Sequence, residues 1–137
     1  MQMNWPLIEA DDLHPRENVD KMSNGTPLTD RDRAAWLDSL IEAIKTTPSS
    51  AVVLACSALT PYVQSRLRDE TSCSCQWWLI DLPREVLERR IRARQNHFMP
   101  AELIESQLAS LTPPEDVIRI NGDQAISKIR DEIIAHL

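Results

Sequence analysis

"WPLIEADDLHPRENVDKM", residues 5–22, runs from a short apolar segment straight into two adjacent aspartates, a histidine, an arginine and a lysine. Such a segment reads as a strand ending in a polar loop. Pro15 then starts a short helix with Val19 and Met22 on its apolar side, and Asn24-Gly25 closes it. The same alternation continues down the chain. Thr29 caps a helix running towards Lys45, with Trp36, Leu37, Leu40, Ile41 and Ile44 on one face, and Pro48 stops it. "AVVLACSAL", residues 51–59, is a continuous apolar run and predicts a strand covered on both faces. Pro61 opens a helix through Arg68, "CQWWLIDL" supplies a third strand, and Pro83 starts the helix "REVLERRIRARQ". Pro100 starts another helix, with Leu103, Ile104, Leu108 and Leu111, which Pro113-Pro114 breaks. "DVIRI" is a fourth strand, and Ile126, Ile129, Ile133, Ile134 and Leu137 mark a last amphipathic helix. Strands alternating with helices predict an α/β domain with a parallel sheet.

The 137 residues fit a single domain spanning 1–137. A net charge of -6 argues against non-specific nucleic-acid binding, though local arginine clusters can still meet small anions. No segment approaches the roughly twenty apolar residues of a membrane span, and no signal-peptide pattern is seen, so a soluble, cytoplasmic chain is expected. Three cysteines are too few for a disulfide framework, and Cys73-x-Cys75 has no neighbouring histidine or further cysteine to complete a metal site. The chain has two glycines, Gly25 and Gly122, so no Gly-rich loop can be assembled from it.

Ligands of open parallel sheets gather at the carboxyl ends of the strands. Here those ends hold Glu9 to His14, Cys56-Ser57, Asp81-Leu82-Pro83 and Asn121 to Gln124; ordinary wetted loops would look the same. Asp11 is the best candidate for a carboxylate that orients or activates a hydroxyl. Arg90 and Arg94 are four apart on one helical face, with Arg89 and Arg92 beside them, and could meet a phosphate. A solvated face balanced by Glu85 and Glu88 explains the same run. His97 follows in a loop, where a lone histidine is more often structural. Trp77-Trp78 reads as core packing, and Cys56 as a small buried residue without a paired base.

"EADDLHPRENVDKMSNGTPLTDRDRAAWL", "CSAL", "RARQNHFMP", "SQLASLTPPE" and "GDQAI" occur in this order, and together they resemble the signature blocks of the gluconate kinases, a family of P-loop small-molecule kinases. The resemblance implies a three-layer α/β/α P-loop kinase fold. It also implies transfer of the γ-phosphoryl group of ATP, with Mg2+, to the 6-hydroxyl of D-gluconate. Asp11 then matches the aspartate expected to orient or deprotonate the attacking hydroxyl. His14, Lys21 and Arg33 match the substrate-side block, and Arg68 the arginine closing the block after "CSAL". Arg90, Arg94 and His97 match the lid, where arginines neutralise charge on the transferred group. Asp123 and Gln124 match the loop near the adenine. A homodimer is the assembly the resemblance suggests.

Two departures qualify that expectation. The family begins with a strand, a GxSGxGKS loop and a helix, whereas Met1 stands a few residues before "PLIEA". The expectation is therefore a truncated kinase domain, with negligible phosphoryl transfer on its own. In the family's 2-3-1-4-5 strand order the first strand lies between the counterparts of "AVVLAC" and "QWWLIDL". Without it the fragment is unstable, or the neighbouring strands close the gap, or another chain supplies the strand. The second departure follows "CSAL": Thr60, Pro61 and Val63-Gln64-Ser65 stand where the family has a lysine and a Tyr-Arg-Asp run. The alternative to a kinase is a non-catalytic gluconate-binding module, or a partner of a full-length kinase subunit.

Overall fold

A computed structural model describes residues 3–94 and 100–137. Four short strands alternate with helices, as the sequence predicts: β1 (Leu7–Glu9), β2 (Val53–Ala55), β3 (Trp78–Asp81) and β4 (Ile118–Asn121). A 3-10 turn, Ala10–Leu13, and two helices, α1 (Arg16–Ser23) and α2 (Asp30–Thr46), connect β1 to β2. After β2 comes α3 (Pro61–Thr71). Between β3 and β4 lie α4 (Arg84–Ala93) and α5 (Ile104–Ser110), and α6 (Ile126–Ala135) follows β4.

The helix ends have the chemistry that their sequences suggest. Gly25, at φ +77, sits just past α1; its N–H donates to Met22 O and that of Thr26 to Lys21 O, a left-handed cap that glycine adopts without strain. Thr29 and Asp32 form a reciprocal capping box at the start of α2. Thr60 accepts from Val63 N at the start of α3, where Pro61 needs no donor.

The core lies between the β1–β2 pair and the helices α2 and α3. Trp36, Leu37, Leu40, Ile41, Val63, Leu67 and Ala10 are buried together, and Ile8 and Leu54 pack down on them. The opposite face of this pair carries Leu7 and Val53, which are 63% and 47% exposed. "AVVLAC" is therefore not covered on both faces: Leu54 packs towards α2 and α3, while Val53 on the other side stays exposed.

All pairing is parallel, but the strands form two separate ladders. β1 pairs with β2, Leu7 opposite Val53, and β3 with β4, Trp78 opposite Ile118. The neighbouring strands have not closed the gap between them. In a parallel ladder, alternate residues turn their backbone groups towards the partner. Val53 N donates to Pro6 O, so Val53 and Ala55 face β1 and Leu54 faces away. Trp77 O accepts from Ile118 N, and Asp81 O from Gly122 N, so Trp78 and Ile80 face away from β4.

Candidate functional site

The turn after β1 is fixed from beneath by a buried indole. Trp36, 2% exposed, donates from Nε1 to Ala10 O at 2.7 Å, and its ring stacks on His14 with centroids 4.6 Å apart. One residue of α2 therefore positions both Asp11 and His14. Asn18 of α1 places Nδ2 3.3 Å from His14 Nδ1 and donates to Asp32 O at 2.9 Å. With Nδ1 accepting, the neutral ring carries its proton on Nε2. Burial, and to a lesser degree Arg33, pulls the His14 pKa below 6.5 against the opposing pull of Asp11, which favours that neutral form.

These side chains border a cleft of about 220 Å³ at the carboxyl ends of β1 and β2. Asp11, His14, Arg33 and Arg94 converge there, with Ser57, Ser106, Gln107 and Ser110. Arg33 sits in the first turn of α2, its side chain 12% exposed, and pairs with Asp30 at 3.1 Å. Asp30 also accepts from Thr60 Oγ1 at 3.2 Å, so the threonine that departs from the family pattern helps to hold the Arg33–Asp30 pair. Gln64, another departure, is buried and donates to both Ala58 O and Thr112 O, while Thr112 N donates to Leu59 O. This tie holds the chain following α5 to the end of β2, and thereby keeps Ser106, Gln107 and Ser110 at the cleft. Cationic groups beside hydroxyls, an amide and a carboxylate suit a small polyhydroxylated acid.

Other predicted site residues lie elsewhere. Lys21 does not border the cleft; its ammonium sits 2.7 Å from Asp32 Oδ2 and braces α1 against the start of α2. Arg68 is at the opposite, amino end of the strands, paired with Asp116 at 3.3 Å and lying over the Trp77 ring. Arg90 donates to Gly122 O and lies 3.9 Å from Asp123, so it braces the loop after β4 rather than entering the cleft. Gln124 donates to Glu132 of α6 at 2.9 Å. His97 falls outside the described residues. The cleft-lining Ser106, Gln107 and Ser110 were missed as individual residues by the sequence reading, although 106 and 110 share one polar helix face, a readable signal. Burial, with Asp11 and Glu9 nearby, pushes the Cys56 thiol up to about 12, which disfavours a thiolate.

A nucleotide with Mg2+ needs backbone N–H groups in a Gly-rich turn, a lysine and a magnesium-holding hydroxyl. Neither glycine lies in such a turn: Gly25 caps α1, and Gly122 ends β4 where a Cβ would come 2.8 Å from Ile80 Cγ2. No group of three or more acidic, histidine or cysteine side chains among the described residues could hold a metal. The described residues do not fit a triphosphate–magnesium site. Nor, among them, is any helix long and apolar enough to cross a membrane.

No family model matches the sequence. A gluconokinase of Gluconobacter oxydans is 41% identical over 142 residues, covering 98% of this chain and 78% of the relative. The crystal structure of an unliganded sugar kinase from Janibacter sp. superposes with a TM-score of 0.86 at 33% identity, covering 97% of this chain and 79% of that one. A gluconokinase structure from Sinorhizobium meliloti gives 0.79 at 36% identity, covering 96% and 75%. The parallel strands and the helices around them are thus those of a P-loop small-molecule kinase. Within that class, the chain belongs to the gluconokinase family.

Proposed function

We propose that the cleft binds D-gluconate and presents its 6-hydroxyl for the family reaction, the ATP-dependent formation of 6-phosphogluconate. The convergence of Asp11, His14, Arg33 and Arg94 on one cleft, whose other walls are partly apolar, carries this reading. Arg33 and Arg94 supply positive charge for the sugar-acid carboxylate, with Arg94 also able to face an incoming phosphoryl group. His14 donates from Nε2 to a hydroxyl. Asp11 accepts the hydrogen bond of the attacking hydroxyl and fixes its direction. The serines and Gln107 match the remaining hydroxyls.

Because the described residues make no phosphate cradle, the chain alone is expected to be inactive or nearly so. Titration calorimetry with D-gluconate and no nucleotide should give saturable heat, weakened at least tenfold by Asp11→Ala. Absence of saturable heat would remove the reading. A coupled ADP-release assay of the chain alone should fall far below the usual kinase range of about 1–100 s⁻¹. A second reading is a gluconate-binding module, or a partner of a full-length kinase subunit. It is favoured by a cleft lined by this chain's own residues and by the absence of a Gly-rich turn among the described residues. Rate enhancement on mixing with a full-length gluconokinase would support the partner role.

A further inference from the structure

We infer that Asn18 is a positioning residue for the cleft: it selects which nitrogen of His14 carries the proton, and so makes the ring a hydrogen-bond donor, through Nε2, to a substrate oxygen. The consequence for binding rests on the gluconate reading above; the place of the proton does not. Stacking on Trp36, with the two rings 13° from parallel and their centroids 4.6 Å apart, fixes the plane of the imidazole. It does not fix the sense of the ring. A half-turn about the Cβ–Cγ bond keeps the same plane and exchanges the edge that bears Nδ1 for the edge that bears Cδ2. Asn18 settles that choice.

The orientation of the Asn18 amide follows from its second partner. Asp32 O is a carbonyl and can only accept, so the amide atom 2.9 Å from it is Nδ2 and not Oδ1. The same nitrogen lies 3.3 Å from His14 Nδ1, and with one hydrogen on Asp32 O it turns the other towards the ring. A protonated Nδ1 would set N–H against N–H. A bare Nδ1 with a protonated Nε2 is the one neutral form that this contact accepts. Asn18 is 4% exposed, and Lys21, one turn further along α1, pairs with the Asp32 carboxylate at 2.7 Å. Two contacts with one residue of α2 thus hold α1, and the amide with it, in place. The charged groups that act on the ring are Asp11 of the same turn and Arg33 of α2, and Arg94 borders the same cleft.

The test compares Asn18→Asp with Asn18→Leu in the full chain, with Asp11, Arg33 and Arg94 left as they are. Both variants lose the donor to Asp32 O, so any loosening of α1 is common to them. Only the aspartate accepts from a protonated Nδ1. Nitrogen NMR of the imidazole rings should show a bare His14 Nδ1 in the unsubstituted chain and a protonated one in Asn18→Asp, with the ring's titration moved upwards by the new carboxylate. By calorimetry at about pH 8.5, Asn18→Asp should bind gluconate at least tenfold more weakly than the unsubstituted chain, since its Nε2 is then bare. Lowering the pH to about 6.5 should restore most of that affinity, because an imidazolium carries a proton on both nitrogens, whereas the unsubstituted chain should change less than about twofold. Asn18→Leu, with no acceptor for an Nδ1–H, should show no such recovery. Two results would overturn the inference: a protonated His14 Nδ1 in the unsubstituted chain, or equal losses with one pH profile in the two variants, which would make Asn18 only a tie between α1 and α2. A proton that moves to Nδ1 in Asn18→Asp, in a protein that gives no gluconate heat even unsubstituted, would sink the functional reading and leave Asn18 as the residue that places the proton.

Discussion

Replacing Trp36 with phenylalanine tests whether one indole supports both the core and the cleft. The substitution keeps an aromatic ring near His14 but removes the N–H that donates to Ala10 O, in a place where Ala10 is 0% and Trp36 2% exposed. Ala10 O keeps the Leu13 N–H of its 3-10 turn, so losing the indole bond costs about 1 kcal/mol net. The ring area lost, about 40 Å² at about 25 cal/mol per Å², adds about 1 kcal/mol. The expected loss of about 2 kcal/mol is a large part of the roughly 5–15 kcal/mol that holds a typical domain together. Urea unfolding followed by far-ultraviolet circular dichroism should show the midpoint falling by about 1 M at an unchanged slope, taking about 2 kcal/mol per M for a chain of this size. Gluconate affinity should fall too, because the turn that carries Asp11 loses its support. A midpoint shift under about 0.3 M would refute the energetic reasoning; a full shift with unaltered gluconate affinity would refute the link to Asp11.

Acidification should weaken the brace between α1 and α2. Asp32 is held at about 2 by Lys21 and the Thr29 backbone N–H, below its ordinary 3.8, so its contribution is complete above about pH 4 and disappears as pH falls through about 2. Lys21→Met should flatten the fall in stability between pH 4 and 2, by about 1 kcal/mol given the partly exposed pair. Gly122→Ala, forcing a Cβ to 3.0 Å from Asp81 O, should lower stability by about 1–3 kcal/mol in thermal unfolding. Arg68→Ala should leave gluconate binding intact by calorimetry and cost under about 1 kcal/mol, since its pair with Asp116 is largely exposed.

The elements were legible because their punctuation is local. Thr29, Pro61 and Pro83 begin helices α2, α3 and α4, and Gly25 ends α1. The covered faces were less so. "AVVLAC" has the composition of a strand enclosed on both sides, yet Val53 is exposed, because enclosure depends on what packs across the sheet and not on the run itself. The same limit governs the charged residues. Sequence order places Lys21 beside His14, but the acceptor at Asp32, eleven residues away, draws its ammonium out of the cleft. Arg68 lies in the last turn of α3, so the length of that helix carries it away from the strand ends where ligands gather. Helical spacing groups Arg90 with Arg94, and the loop carbonyl of Gly122 separates them.

Gln64 carries a consequence for substitutions in this chain. Its amide spends both hydrogens on carbonyls, Ala58 O at 2.9 Å and Thr112 O at 2.8 Å, inside a nearly closed environment. A glutamate would bring lone pairs against both oxygens, and an arginine or tyrosine at this site would need room that only coordinated changes in the Ala58 and Thr112 loops could open. Reverting Gln64 or Thr60 one at a time towards the residues of a relative should therefore disturb this chain more than help it. The segment after "CSAL" behaves as one interdependent unit, to be exchanged whole or left alone.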